Sequence, residues 1–101
     1  MTEEELRTTL KNIRSYYAFI RKSKKSVVAD SPSSLRAKEF RVILATGPPA
    51  YLFLFEGLYI DGKSQKDLMA DWGMSRSAIS RLHSKMIDYL LSNIKSNKGG
   101  D

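Results

Sequence analysis

The sequence has no cysteine and a single histidine among its 101 residues. The absence of cysteine excludes disulfide bonds, thiolate zinc sites and cysteine nucleophiles, and it suits a reducing cytosol. The single histidine, His83, has no visible carboxylate or cysteine partner in the sequence, so we interpret it as a packed side chain. The sequence also lacks a phosphate-binding glycine loop, a nucleophile elbow and a carboxylate pair near this histidine. We therefore expect no enzyme activity, no cofactor and no metal.

Long apolar runs and a targeting segment are absent as well. No apolar stretch approaches the roughly 20 residues that span a bilayer. The N-terminus carries Glu3, Glu4 and Glu5 in place of the basic and then apolar stretch of a secretory signal. These features predict a soluble cytoplasmic protein that does not associate with a membrane.

Acidic residues are scarce in two segments of the chain, residues 6–25 and residues 75–98. The sequence has 17 Lys and Arg against 11 Asp and Glu, which gives a formal net charge of +6 and a pI near 9.7. Residues 6–25 contain seven basic residues and no acid, and residues 75–98 contain five basic residues and one acid, Asp88. A basic balance of this size is typical of proteins that bind nucleic acid.

Helical periodicity accounts for most of the chain, and the length suits a single domain over residues 1–101. Thr2 and Glu5 form a capping-box pattern that begins the first helix. Its apolar residues alternate at spacings of four and three, which predicts a stripe that packs inside the molecule: Leu6, Leu10, Ile13, Tyr17 and Ile20. A short zipper with another chain is the alternative. A connecting loop at residues 26–34 completes an N-terminal part, residues 1–34.

Two further helices are predicted before the C-terminal region. Residues 35–46 resume helical periodicity and end at a glycine followed by two prolines; the apolar positions are Leu35, Phe40, Ile43 and Leu44. Residues 49–60 are apolar on nearly all sides and predict a central core helix. Together with the C-terminal helices, the expected fold is all-α, with about five helices and a helical core over residues 35–96. The polar segment 97–101 is expected to be a disordered tail.

Residues 64–86 have the pattern of a helix-turn-helix motif. Ser64 and Asp67 form a second capping box. Gly73 suits a turn that needs a positive φ, and Ser75 can cap the helix that follows. Five apolar residues lie where the two helices and their turn face the core: Leu68, Trp72, Met74, Ile79 and Leu82. The second helix of this motif enters the major groove of DNA, although the same features also occur in purely structural helical bundles.

The outer face of the second helix of the motif is polar and free of acids. Arginine can donate two parallel hydrogen bonds to guanine, and serine can reach a base edge or a phosphate. We predict that four residues read bases: Arg76, Ser77, Ser80 and Arg81. Six residues are predicted to bind phosphates: Lys63, Gln65, Lys66, Ser75, Ser84 and Lys85. A basic cluster at the end of the first helix is a candidate for accessory contacts, with a solvated helix end as the alternative: Arg21, Lys22, Lys24 and Lys25.

Residues 49–90 resemble the DNA-binding region 4 of sigma-70-type factors. The similarity is carried by residues 58–68, Leu-Tyr-Ile-Asp-Gly-Lys-Ser-Gln-Lys-Asp-Leu, and by residues 74–81, Met-Ser-Arg-Ser-Ala-Ile-Ser-Arg. A small chain with one such module also resembles phage-encoded late-gene transcription regulators of the ArpU/RinA type. These resemblances imply double-stranded promoter DNA as the partner, contact with host RNA polymerase, and a bacterial or phage-infected cell as the setting. The first 45 residues contain no sigma motif that we identify.

Apolar residues continue beyond the motif and need a surface that covers them. They are Met86, Ile87, Tyr89, Leu90, Leu91 and Ile94. The N-terminal stripe can cover them within one chain, or a second subunit can cover them in a homodimer formed through the N-terminal and C-terminal helices. Two other functions fit the pattern. One is a protein-interaction adaptor that binds RNA polymerase or another regulator through the C-terminal helix, and the other is a recognition subunit of a DNA-packaging complex.

Overall fold

The computed structural model describes residues 1–24 and 31–97, with side chains described as far as residue 94. These two ranges contain α-helices and no strand. The helices are α1 (Glu3–Ser23), α2 (Pro32–Leu44), α3 (Pro49–Phe55), α4 (Gln65–Trp72) and α5 (Arg76–Asn97), and a π-helical turn, Glu56–Ile60, directly follows α3. The prediction of an all-α fold with about five helices is confirmed.

α1 begins and packs as the sequence predicts. The Thr2 hydroxyl accepts a hydrogen bond from the Glu5 amide (3.1 Å), and the Glu5 carboxylate accepts one from the Thr2 amide (2.8 Å). These bonds satisfy donors at the helix end that have no partner within the helix. The apolar stripe lies in the core, where Leu6, Leu10, Ile13 and Tyr17 are buried and Ile20 is half-buried. Packing of the stripe inside the molecule is therefore confirmed.

α2 begins three residues earlier than predicted. The Ser31 hydroxyl accepts a hydrogen bond from the Ser34 amide (3.2 Å) and caps the helix. Pro32 occupies the first turn, where its missing amide proton leaves no acceptor unsatisfied. The expected loop therefore ends at Ser31, while residues 25–30 lie outside the described residues. The helix also ends at Leu44, two residues before the predicted end.

Leu35 does not belong to the buried face of α2, which corrects its predicted place. Its side chain is 53% exposed, whereas Phe40, Ile43 and Leu44 are buried as expected. The buried face passes instead through Ser34, and a residue one position later on a helix is rotated by about 100° toward solvent.

The third predicted helix spans the expected residues but changes geometry at its end. The Asp61 amide donates a hydrogen bond to the Glu56 carbonyl (2.8 Å), five residues earlier, which is the pattern of a π-helix. The buried side chains are Leu54, Phe55 and Leu58. Phe53 is 61% exposed, so this predicted core helix leaves the side of Phe53 open to solvent.

The apolar half of α5 is covered within one chain. Four of its side chains are at most 1% exposed: Met86, Ile87, Leu90 and Ile94. Tyr89 and Leu91 are half-buried and pack against the same core. α5 packs against each of the other four α-helices, and buried side chains from all five α-helices form one cluster. Each buried side chain of this size stabilises the fold by about 1.5–3 kcal/mol. A second subunit is therefore not needed to cover this surface, and the homodimer stays a prediction without that support.

α5 also extends one residue into the segment predicted as a tail. Asn97 is its last residue, and the rest of the segment 97–101 lies outside the described residues. Within the described ranges, none of the helices has both the length and the apolar character that crossing a membrane requires.

Candidate nucleic-acid interface

α4 is held at both ends by local hydrogen bonds. The Ser64 hydroxyl accepts a hydrogen bond from the Asp67 amide (3.1 Å), and the Asp67 carboxylate accepts one from the Ser64 amide (3.0 Å). The bonds to Ser64 favour the charged carboxylate and lower the pKa of Asp67. At the other end Gly73 has a left-handed conformation (φ 63°), which lets the Met74 amide reach the Met69 carbonyl (3.3 Å). The predicted capping box and turn are confirmed.

α5 begins directly after this turn. The Ser75 hydroxyl accepts a hydrogen bond from the Ala78 amide (3.2 Å), so Ser75 caps the helix as predicted. Of the five apolar residues expected to face the core, Leu68 and Ile79 are buried. The other three are half-buried at the edge of the core: Trp72, Met74 and Leu82. The two helices therefore form a helix-turn-helix whose inner face is narrower than predicted.

α4 also rests on the π-helical turn. Gly57 is buried there, and a Cβ atom at this position would lie 3.0 Å from Cδ2 of Leu68. A larger residue would push Leu68 away, because 3.0 Å is shorter than an ordinary carbon contact. The missing side chain at position 57 thus allows α4 to approach the core closely.

The first three turns of α5 present a polar face to solvent. We define the α5 polar face by its six exposed residues: Arg76, Ser77, Ser80, Arg81, Ser84 and Lys85. Within the described residues, none of its three cations forms an ion pair, so their charges are available to a ligand. Asp88, one turn later on the same side, is exposed and marks the end of this acid-free face.

Two of the predicted phosphate ligands lie in an open cleft between α4 and the start of α5. The cleft measures about 480 Å³ and is lined by Ser64, Gln65, Lys66, Met69 and Arg76. Lys66 and Arg76 bring positive charge to it from two different helices. Two cations from two helices suit an anion such as a backbone phosphate.

Lys63 is placed differently from the other predicted phosphate ligands. Its ammonium lies 2.9 Å from the carboxylate of Asp71, and both side chains are exposed. The hydrogen bond to Asp71 raises the pKa of Lys63, because it favours the charged form. A phosphate would have to compete with Asp71 for this ammonium. Lys66, by contrast, forms no ion pair within the described part of the chain.

Arg21, predicted as a candidate accessory contact, binds the protein itself. Its guanidinium donates a hydrogen bond to the Ile60 carbonyl, at the end of the π-helical turn. A Cβ atom on Gly62 would collide with the same guanidinium, so the loop lies directly against it. Arg21 therefore supports the loop that leads to α4. Lys22 and Lys24 are exposed, and Lys25 lies outside the described residues.

Arg14 supports the same loop, although the sequence did not single it out. Its Nη1 donates to the carbonyls of Leu58 (2.9 Å) and Lys63 (3.4 Å), and its Nη2 donates to the carbonyl of Gly62 (3.5 Å). Carbonyls at a helix end have no partner within the helix, and a cation complements the dipole there. The signal in the sequence is spacing, since Arg14 and Arg21 are seven residues apart and each directly follows a residue of the apolar stripe.

His83 packs beside the α5 polar face and is not part of it. Its Nε2 lies 2.6 Å from the Tyr59 hydroxyl, and the two rings lie 6.0 Å apart at a tilted angle. Burial lowers the pKa of His83, and the positive charge of Arg7 on α1 lowers it further. Burial also raises the pKa of Tyr59. The interpretation of His83 as a packed side chain is confirmed.

No family model, curated protein or solved structure matches this chain. In residues 1–24 and 31–97, no group of three or more His, Cys, Asp or Glu side chains is placed to hold a metal ion. A functional assignment therefore depends on the residues and the geometry of the helix-turn-helix.

Proposed function

We propose that this protein is a sequence-specific double-stranded DNA-binding transcription regulator that acts in the cytoplasm. α5 enters the major groove, and four residues of the α5 polar face read the base edges: Arg76, Ser77, Ser80 and Arg81. The resemblance of residues 49–90 to sigma-70 region 4 supports a promoter as the target. The resemblance to late-gene regulators supports a phage or prophage setting. The observation that carries the proposal is the exposed, acid-free α5 polar face at the start of the second helix of a helix-turn-helix.

The composition of the α5 polar face suits direct readout. Arg76 and Arg81 can each donate two parallel hydrogen bonds to O6 and N7 of a guanine. Ser77 and Ser80 lie between them, and their short side chains allow the helix to approach the floor of the groove. An acid within this face would repel the flanking phosphates, but Asp88 lies beyond its end.

Phosphate contacts at both ends of the α5 polar face can fix the register of the helix in the groove. Gln65 and Lys66 lie on α4, the helix that crosses the DNA backbone in this motif. Ser84 and Lys85 lie at the far end of the polar face. Lys63 joins this set only if it gives up its bond to Asp71, so we expect it to contribute less than Lys66.

Selection of bound sequences from random duplex DNA, at several salt concentrations, tests the proposal. We expect a consensus that contains guanines opposite the two arginines. Arg76→Ala and Arg81→Ala should each reduce binding of the consensus by about 1–3 kcal/mol and relax the base preference. Lys66→Ala should weaken all sequences alike and reduce the salt dependence. A double arginine variant that binds the consensus as tightly as the parent would contradict the proposal.

A protein-interaction adaptor is the second candidate, and exposed apolar side chains favour it. Leu35 and Val42 on α2 are 53% and 63% exposed, and they lie seven residues apart on one side of the helix. This surface differs from the C-terminal helix that the sequence suggested, since the apolar half of α5 is buried. RNA polymerase is the partner that the resemblance implies. Binding of such a protein that is insensitive to DNA and to salt would favour this function.

The symmetry of the consensus reports on the assembly. A palindrome with half-sites about 34 Å apart would indicate a homodimer, and a single asymmetric element would indicate a monomer. A DNA-packaging subunit, the remaining alternative, would form ring-sized particles in solution scattering.

A further inference from the structure

α1 carries a line of basic residues directly beside its apolar stripe. Four of the five positions that follow a stripe residue are basic, and position 18, an alanine, is the exception. Residues spaced by three and four positions share one side of a helix, so they form a basic stripe along the edge of the core. The basic stripe consists of Arg7, Lys11, Arg14 and Arg21, and Lys22 extends it. The acids of α1 are confined to its first turn, at Glu3, Glu4 and Glu5, and residues 6–24 contain none.

The basic stripe lies on the flank of α1 that faces the helix-turn-helix. Arg14 donates to the carbonyl of Lys63, the residue before the cap of α4. The positive charge of Arg7 lowers the pKa of His83 on α5. The other flank of α1 faces α2, with which it shares a groove lined by Thr9, Asn12, Ile13, Pro32, Ser33 and Arg36. The arginines of the stripe therefore adjoin α5 and the loop that leads to α4, and Lys11 and Lys22 lie on the exposed side of these arginines.

Part of the basic stripe is already occupied by the protein. Arg14 and Arg21 bind main-chain carbonyls, and Arg7 forms an ion pair with Glu3 (2.9 Å). Lys11 and Lys22 are exposed and have no ion pair in the part of the chain that the structure describes. Their separation along the helix is about 16 Å, which corresponds to about five base pairs of duplex DNA.

The cations of α2 show a different arrangement. Arg36 pairs with Glu39 and Arg41 pairs with Glu56, so the positive charge of both arginines is balanced. Lys38 is exposed and has no such partner among the described residues. Positive charge without a partner is thus more abundant on the flank of α1 and on the α5 polar face than on α2.

We propose that Lys11 and Lys22 bind backbone phosphates of the duplex next to the segment that α5 reads. This inference rests on the proposed function, because it needs DNA seated on the helix-turn-helix. A backbone that passes the start of α4 reaches the basic stripe next, since Arg14 and Lys63 are in contact. In this arrangement α5 supplies the sequence preference, and the basic stripe lengthens the footprint.

Binding to duplexes of two lengths at several salt concentrations tests the proposal. Both duplexes carry the selected consensus, and they are about 10 and about 30 base pairs long, or about one and three helical turns. Each lost phosphate contact lowers the slope of log K against log salt by about 0.9, so Lys11→Gln with Lys22→Gln should lose about 1.8 on the longer duplex. The shorter duplex is trimmed to the segment that α5 reads, so on it the double variant should match the parent.

Lys38→Gln is the matched control, because it removes one exposed lysine charge from α2. It should leave both slopes unchanged, and glutamine is a good helix former at all three positions. If Lys11→Gln and Lys22→Gln change the longer duplex no more than Lys38→Gln does, the proposal is wrong. A consensus that still depends on Arg76 and Arg81 would then leave the proposed function standing. A parent protein that binds no duplex would overturn both.

Discussion

α1 and α5 are the two longest helices and both are basic, yet they use arginine in opposite ways. In α1, Arg14 and Arg21 reach main-chain carbonyls at the end of the π-helical turn. In α5, Arg76 and Arg81 are exposed and form no ion pair within the described residues. The same side chain supports the fold in one helix and is available to a ligand in the other, so its neighbours decide its role.

The two roles are connected through α4. Arg14 and Arg21 hold the loop that runs from the π-helical turn to the cap of α4. α4 in turn packs against the start of α5. Substitution of the arginines of α1 should therefore displace α4 and, with it, the α5 polar face. Substitution of the arginines of α5 should leave the fold intact.

The largest expected effect is on stability, and it tests whether α1 and α5 belong to one core. Leu10 on α1 and Leu90 on α5 are 1% and 0% exposed, so Leu10→Ala and Leu90→Ala should each lower the free energy of unfolding by about 2–5 kcal/mol. Unfolding in urea, followed by circular dichroism, should show a single shifted transition for both. Leu35→Ala, at a 53% exposed site, is the control and should cost less than about 0.5 kcal/mol. Two separate transitions would show that the helices belong to different cores.

The next effect compares one arginine from each helix. Arg14→Ala should lower the free energy of unfolding by about 1.5–3 kcal/mol, because the carbonyls of Leu58 and Gly62 lose a charged donor. Arg81→Ala should leave stability within about 0.5 kcal/mol and weaken DNA binding. Chemical denaturation and DNA titration of both variants measure the two quantities. Equal losses of stability would show that the arginines of α1 and α5 do not differ in their contribution to the fold.

The N-terminal caps of α1 and α5 should contribute equally to stability, but only the cap of α5 lies at the predicted DNA surface. Thr2 and Ser75 each accept a hydrogen bond from a first-turn amide, so alanine at either position should cost about 1 kcal/mol. Ser75→Asp keeps the cap but adds a negative charge at the predicted DNA surface. It should melt near the parent temperature and bind DNA less tightly than Ser75→Ala. Tight binding by Ser75→Asp would show that the start of α5 does not approach DNA.

The smallest expected effect concerns His83 on α5, whose pKa is lowered in part by the positive charge of Arg7 on α1. The pKa of His83 is lowered in the folded state, whereas the pKa of a histidine in an unfolded chain is about 6.5. The unfolded state therefore binds more protons in acid, and stability that is present above about pH 6.5 is lost as the pH falls toward the folded pKa. NMR titration of the imidazole protons measures this pKa directly, because the chain has one histidine.

Two charge variants separate the effect of Arg7 on the pKa of His83 from the effect of burial. Arg7→Gln should raise the pKa of His83 toward its ordinary value, because it removes the positive charge that lowers it. Lys38→Gln, on α2, should leave the pKa unchanged. Equal titration curves for the parent and Arg7→Gln would show that burial alone sets the pKa.

Local signals account for the elements that were predicted correctly. The capping boxes at Thr2 and Ser64 and the left-handed Gly73 each involve residues within five positions of one another. The start of α2 was missed for a local reason too, because serine and proline are common in loops and also at the first turn of a helix. In this chain Ser31 and Pro32 serve the helix.

Partners that are distant along the chain account for the parts of the site that were not predicted. Arg21 binds a carbonyl 39 residues away, and Lys63 binds a carboxylate eight residues away, near the other end of α4. Neither contact follows from helical spacing within one element. As a result, two residues with the charge and exposure pattern of phosphate ligands turned out to have protein partners.

By itself, the sequence determined where most helices begin and end, the turn between α4 and α5, and the polar composition of the outer side of α5. These features depend on side chains and backbone within about one or two helical turns. Only the tertiary structure decided that Arg14 and Arg21 support a loop, that Lys63 is paired, and that the apolar half of α5 is covered within one chain. These outcomes depend on which helix surfaces meet, and that is settled by packing all five helices around one core.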